Sequence, residues 1–147
     1  MFTNILIPTD GSDLSKKAAR AGVELAKALG AKVTAFFAAP PATPIVYRNH
    51  LPVGLAQPHE HEQMIEKAAG EHLGFIEQLA GEAGVPFEGL HKTDDYAADA
   101  ILQIADRKGC DIIVMATHGE RGLRGMFGGS VTHEVVNRAK VPVLTLR

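Results

Sequence analysis

Residues 111–131 read D-I-I-V-M-A-T-H-G-E-R-G-L-R-G-M-F-G-G-S-V. Asp111 to Ala116 form an almost unbroken apolar run, as expected of a strand buried on both faces. The run leads into Thr117-His118-Gly119 and a glycine-rich stretch. Val131, Val135 and Ala139 then take up the three-to-four-residue spacing of a short helix. Strand, loop and helix in that order make one half of a βαβ crossover, and working outward the rest of the chain repeats the alternation.

Upstream, Asn4–Pro8 is a short apolar strand ended by the turn signal Asp10-Gly11. Leu14, Ala18, Ala21, Leu25 and Ala28 define one face of a helix over 14–29, with Ser12 as N-cap and Gly30 as stop. Lys32–Ala38 is a second strand. Residues 39–58 hold five of the eight prolines and read as a long loop packed partly on the domain. A long helix follows from Glu60 to Ala83, stopped by Gly84 and interrupted by Gly70, Gly74 and Gly81, each weakening it by about 1 kcal/mol relative to alanine. Val85–Lys92 is the least apolar strand and belongs near an edge. Thr93 with Asp94 and Asp95 starts a helix whose core face is Ala97, Ile101, Ile104 and Ala105 and which Gly109 ends. Val141–Leu146 closes the chain, with Pro142 favouring an edge. The order is βαβαβαβαβ: an α/β fold, a parallel sheet with helices on both faces. The first and fourth strands are the most continuously apolar and belong at its centre. Ligands in such folds bind at the carboxyl ends of the strands where strand order reverses. That directs attention to Pro8-Thr9-Asp10-Gly11 and Ala116-Thr117-His118-Gly119.

Composition narrows the function. The 147 residues suggest one domain, 1–147. A single cysteine, Cys110, leaves no internal disulfide and no multi-cysteine zinc site, and reads as a small buried residue. Net charge is -2, which offers no basic field for nucleic acid. No run approaches the roughly 18 apolar residues of a membrane span, and the amino terminus lacks a signal-peptide pattern. A cytoplasmic protein with neither nucleic-acid nor membrane partner is expected.

Five of the 15 glycines lie between Gly119 and Gly129. Glycines admit a ligand close to the backbone, and a helix start at Gly129-Ser130 supplies unpaired N–H donors and a favourable dipole, a combination that suits phosphate. The stretch matches neither G-x-x-x-x-G-K-[ST] nor G-x-G-x-x-G; a mobile surface loop is the plainer reading. Asp10 is either a turn residue or an acceptor for ribose hydroxyls. Taken together, loop and carboxylate favour a nucleotide site. Arg121 and Arg124 add charge to the loop or are simply solvated.

Ile5-Leu6-Ile7-Pro8-Thr9-Asp10-Gly11-Ser12, Asp111–Gly119, Gly129-Ser130-Val131 and Val141–Leu144 together resemble the universal stress protein family, in its single-domain, nucleotide-binding form. ATP-binding members carry G-x2-G-x9-G-[ST]; here the register is Ala116-x2-Gly119-x9-Gly129-Ser130, with alanine at the first glycine. The resemblance implies a three-layer αβα sandwich, Rossmann-like and akin to the adenine nucleotide alpha hydrolases, with five parallel strands in the order 3-2-1-4-5. It implies a stress-response regulator that binds ATP with Mg²⁺, or AMP or ADP, and hydrolyses it weakly at most. Asp10 and Ala116 would meet the ribose. Gly119, Gly129 and Ser130, with the Val131 backbone and Thr132, would hold phosphates. Pro8, Thr9 and the Ala38 backbone would line the adenine pocket, with Met115 nearby. It further implies a homodimer through the Val141–Leu146 strand, whose apolar edge needs cover. Alternatives are a nucleotide-independent dimer acting through protein partners, and an enzyme such as an ATPase or nucleotidyl transferase, for which no nucleophile or acid–base pair is visible.

Four of the seven histidines fall between His50 and His72. His59 and His61 are two residues apart and do not share a helix face, so they read as structural or solvated. His118 reads as a loop-positioning residue.

Overall fold

The computed structural model describes residues 1–39, 58–117 and 129–147. The loop expected over 39–58 falls, apart from its two ends, outside the described residues, as do His118, Gly119, Arg121 and Arg124.

Five parallel strands form one sheet in the order β3-β2-β1-β4-β5. They are β1 (Asn4–Thr9), β2 (Lys32–Ala39), β3 (Phe87–Thr93), β4 (Ile112–Ala116) and β5 (Val143–Leu146). Among the described residues the helices are α1 (Asp13–Leu29), α2 (Pro58–Ala83), α3 (Ala97–Arg107) and α4 (Gly129–Arg138). β1 and β4 are central, and both are buried at every position. Alternation along the strands sorts the core into two layers. Ile5, Ile7, Val33, Val114 and their neighbours meet Ala19 and Val23 of α1 and Ile76 and Ala80 of α2. Leu6, Phe36, Ile113 and Met115 meet Ile101 and Ile104 of α3 and Val135 of α4. The fold is the αβα sandwich with the 3-2-1-4-5 order that the resemblance implied.

Local signals placed most helix ends. The Ser12 hydroxyl oxygen accepts the Ser15 amide at 3.2 Å, and Gly30 ends α1 at φ 68°. Gly22 lets α1 settle on β1: a Cβ there would lie 2.6 Å from Ile7 Cδ1.

Two boundaries move. β3 starts at Phe87 rather than Val85, because the Val85 amide bonds back to Ala80 in the cap of α2 and Pro86 has no N–H to give. α3 starts at Ala97 rather than Thr93. Thr93 stays in the sheet opposite Ala39, and the Asp94 side chain accepts the Tyr96 amide at 2.9 Å in an Asx turn.

At the amino ends of the central strands, Asp111 ties β4 to β1. Its carboxylate accepts the Thr3 amide at 2.8 Å, the Thr3 hydroxyl at 3.0 Å and the Asn4 amide at 3.1 Å. Burial works against its charge, but these hydrogen bonds outweigh it and hold the carboxyl below its ordinary 3.8. A lowered native value contributes stability that is present above the ordinary carboxylate range and lost as pH falls through the native value. Asp111→Asn is therefore expected to cost about 1–2 kcal/mol at neutral pH, and progressively less as pH is lowered through the carboxylate range. Urea unfolding at pH 7 and pH 3 checks this; equal losses at both would refute it.

Candidate functional site

The order of strands reverses between β1 and β4, since β2 lies on one side of this pair and β5 on the other. Ladder pairing between β1 and β4 covers only Ile5–Ile112 and Leu6–Ile113. The last residues of the two strands are not paired to each other, and strand ends beside such a reversal are where folds of this class hold a ligand crevice.

On one wall, β1 turns into α1 through a tight set of hydrogen bonds. The Thr9 hydroxyl is buried, lies 3.2 Å from Ser15 Oγ, and accepts the Gly11 amide at 3.1 Å. Asp10 Oδ1 accepts the Ser12 amide at 2.9 Å. Gly11 takes φ 80°, which only glycine adopts easily. The His72 ring from α2 lies over Gly11, so close that a Cβ at Gly11 would be 2.1 Å from His72 Cε1. The same ring packs edge-on to Phe37, with centroids 5.2 Å apart. His72 was not singled out from the sequence as part of this region. Its signal was its place on the buried stripe Ile65, Ala69, Ile76, Ala80, where a polar ring must have a reason to sit.

On the other wall, Ala116 ends β4 and its carbonyl accepts the Thr132 hydroxyl at 3.1 Å. Thr132 is itself buried. This bond fixes the amino end of α4, opened by Gly129, beside the end of β4. The first amides of α4 have no acceptor within the helix itself and stand at the positive end of its dipole. Among the described residues no non-glycine residue has positive φ, so Ala116 sits in ordinary strand backbone and its methyl costs no backbone strain. Thr117 is held to β5: the Leu146 carbonyl accepts its amide at 2.6 Å and its hydroxyl at 3.1 Å.

The remaining residues fall around this crevice in different ways. Pro8 is within β1 and buried. The Ala39 carbonyl accepts Asp94 N–H from the β3 side; by strand alternation the backbone of Ala38 therefore faces the β1 side, just beyond where Thr9 ends that strand. Met115 is fully buried, and its side chain belongs to the core under α3 and α4. Val131 is half-buried. Thr132 and Ala116 are thus joined by a hydrogen bond, Gly129 and Val131 belong to the same first turn of α4, Asp10 follows the end of the neighbouring strand β1, Thr9 braces the turn, and Gly119 lies outside the described residues.

Elsewhere, burial pushes the Cys110 thiol above its ordinary value, against the opposing hydrogen bond with Thr34, and only 5% of the residue is exposed. It lines a cavity of about 510 Å³ with Leu102, Ile113 and Val141 at the amino end of the sheet, opposite the crevice. Among the described residues no group of His, Cys, Asp and Glu is arranged to hold a metal ion, and no helix is long and apolar enough to cross a membrane.

Comparison with known proteins agrees with this architecture. The universal stress protein YxiE of Bacillus subtilis is 34% identical, covering 100% of both chains. The universal stress protein of Archaeoglobus fulgidus in complex with dAMP superimposes with a TM-score of 0.68, at 21% identity, over 100% of this chain and 98% of that one. A universal stress protein family member from Arabidopsis thaliana with AMP bound gives 0.67, at 21% identity, over 98% and 90%. The Universal stress protein family profile matches residues 1–147 in full. With the fold, the reversal of strand order and a full-length match all in agreement, the chain belongs to the universal stress protein family.

Proposed function

We propose that this chain binds an adenine nucleotide in the crevice between the carboxyl ends of β1 and β4, and acts as a homodimeric stress-response regulator. The observation that carries the reading is the Thr132–Ala116 bond, which sets the amino end of α4 at the end of β4, the strand beside β1, whose own end leads into the Asp10 turn. Helix amides and a nearby carboxylate are complementary to the two ends of a nucleotide: donors for phosphate, an acceptor for ribose hydroxyls. Asp10 and the Ala116 backbone take the ribose. Gly119, Gly129, Ser130 and the Val131 amide take phosphates, with Thr132 locking the helix in place. Pro8, Thr9 and the Ala38 backbone border the base, with Met115 as packing beneath. The relatives that hold AMP and dAMP support the adenine nucleotide. ATP with Mg²⁺ is the ligand the phosphate end favours, AMP or ADP the alternatives. In this reading the nucleotide's role is regulatory.

Equilibrium titration with ATP and Mg²⁺, and separately with AMP, is expected to give saturable binding at or below millimolar concentration. Absence of binding at millimolar nucleotide would sink the reading. Ala116→Gly is expected to leave binding within about threefold, since Ala116 is unstrained. Binding that arises only in Ala116→Gly would instead favour the nucleotide-independent dimer.

The dimer uses β5. Its ladder to β4 takes up the backbone of 144 and 146, leaving Val143 and Thr145 with N–H and C=O groups on the outer edge, and Leu144 is 43% exposed. An apolar edge of this kind invites pairing with a second copy. Leu144→Arg is expected to shift sedimentation from dimer to monomer while leaving the melting temperature of the fold nearly unchanged.

A further inference from the structure

The other edge of the sheet carries a different invitation. Val33 N–H bonds to Pro86 O at 2.8 Å, and Asp94 N–H to Ala39 O at 3.1 Å. With the register Val33–Phe87 through Ala39–Thr93, the backbone groups of 88, 90 and 92 face β2. Those of Phe87, Gly89 and His91 therefore point away from the sheet. Among the described residues no strand pairs with them. Their Cβ directions lie on the α2 side, where a groove of about 470 Å³ separates the edge from the helix. Gly70 and Gly74 form its helix wall, and Glu66 and Glu77 flank it.

Among the described residues the two helix glycines have no packing reason: a Cβ at either position would meet nothing within 4 Å. Each costs the helix about 1 kcal/mol relative to alanine. What their missing side chains do accomplish is to keep the groove open beside a free strand edge. Gly89, in the middle of that edge, makes room on the α2 side for the Phe87 ring, whose Cζ would lie 3.1 Å from a Cβ there. The groove's charge is one-sided, since Glu66 and Glu77 line it and, among the described residues, no lysine or arginine does. Lys92, the cation of the edge strand, lies on the opposite face, 3.5 Å from Asp94 and 3.3 Å from Gln103.

We propose that the β3 edge and the α2 groove dock an extended, cationic segment of a partner protein, added to the sheet as a further strand. Backbone pairing with Phe87, Gly89 and His91 supplies the affinity; alternate side chains of the segment enter the groove, where Glu66 and Glu77 select lysine or arginine. A second copy of this chain is disfavoured, because two-fold pairing of this edge would set two acidic walls against each other. The site is independent of the nucleotide crevice and of the β5 edge.

The probe is a fluorescein-labelled peptide of alternating lysine and valine, seven residues long, followed by fluorescence anisotropy with the full chain. Saturable binding is expected. It should weaken at least tenfold when alternate peptide nitrogens are methylated, and at least tenfold in the double variant Gly70→Leu, Gly74→Leu. That variant fills open space on a helix, so its melting temperature is expected to hold or rise, which separates loss of docking from loss of fold. A glutamate–valine peptide should not bind. The proposal is overturned by absence of saturable binding, by binding indifferent to N-methylation or to the leucine pair, or by a change of oligomeric state in the leucine variant, which would make the occupant a second copy.

Discussion

Phe36→Ala is expected to lower the unfolding free energy by about 3–5 kcal/mol, the range for deleting a buried aromatic ring, and the melting temperature by roughly 10 °C for a chain of this size. Phe36 is fully buried and lies midway along β2, in the layer under α3 and α4 with Leu6, Ile101 and Ile113. The neighbours that would have to collapse into the space belong to strands already fixed by ladder bonds on both sides, as β2 and β1 are at Pro8–Phe36. Relaxation is therefore small, and the cavity cost adds to the lost transfer energy. Tyr96, 70% exposed, is the control: Tyr96→Ala should stay within about 0.5 kcal/mol. Chemical denaturation of both variants checks the pair, and a loss below 1 kcal/mol for Phe36→Ala would contradict the packing described.

Gly11→Val is the second large effect, and it acts on site and fold together. At φ 80° a β-branched residue is strained by about 1–3 kcal/mol. Its Cβ would also fall within 2.1–2.5 Å of three atoms of the His72 ring. The ring can swing away only by leaving Phe37, and the backbone only by disturbing the hydrogen bonds of the Thr9–Ser12 turn. We expect a loss of about 2–4 kcal/mol in stability and at least a tenfold loss of AMP affinity. His72→Ala in the same background separates the causes: it removes the collision and not the strained φ, so it should recover part of the stability. Full recovery would assign the whole effect to the ring, and no recovery would assign it to the backbone; either would correct this account. AMP affinity unchanged in Gly11→Val would count against the crevice as the nucleotide site.

Much of this was legible in the residues. Glycines at 30, 84 and 109 were read as helix stops, and all three take left-handed φ, at 68°, 70° and 64°. A helix end is local chemistry, with carbonyls and one permissive residue within a turn of each other, so a sequence window contains all the parts. The same holds for Ser12 as N-cap and for the apolar runs of β1 and β4, whose continuity alone placed them at the centre. The reversal of strand order between β1 and β4 was legible too, and strand ends beside such a reversal are where folds of this class leave space.

What the window could not contain was decided by the tertiary structure. The late start of β3 depends on the Val85 amide being spent on a helix cap. That His72 covers Gly11 depends on α2 packing against α1, between residues 61 positions apart. Gly70 and Gly74 looked only like weak points of a helix; set beside the free β3 edge they become the wall of a groove. The sequence by itself determined the elements, their order and which strands are central, because propensity, capping and periodicity act over a few residues. Which side chains meet across elements, and therefore which glycines admit a ring and which keep a surface open, was decided only when the sheet fixed the distances between them.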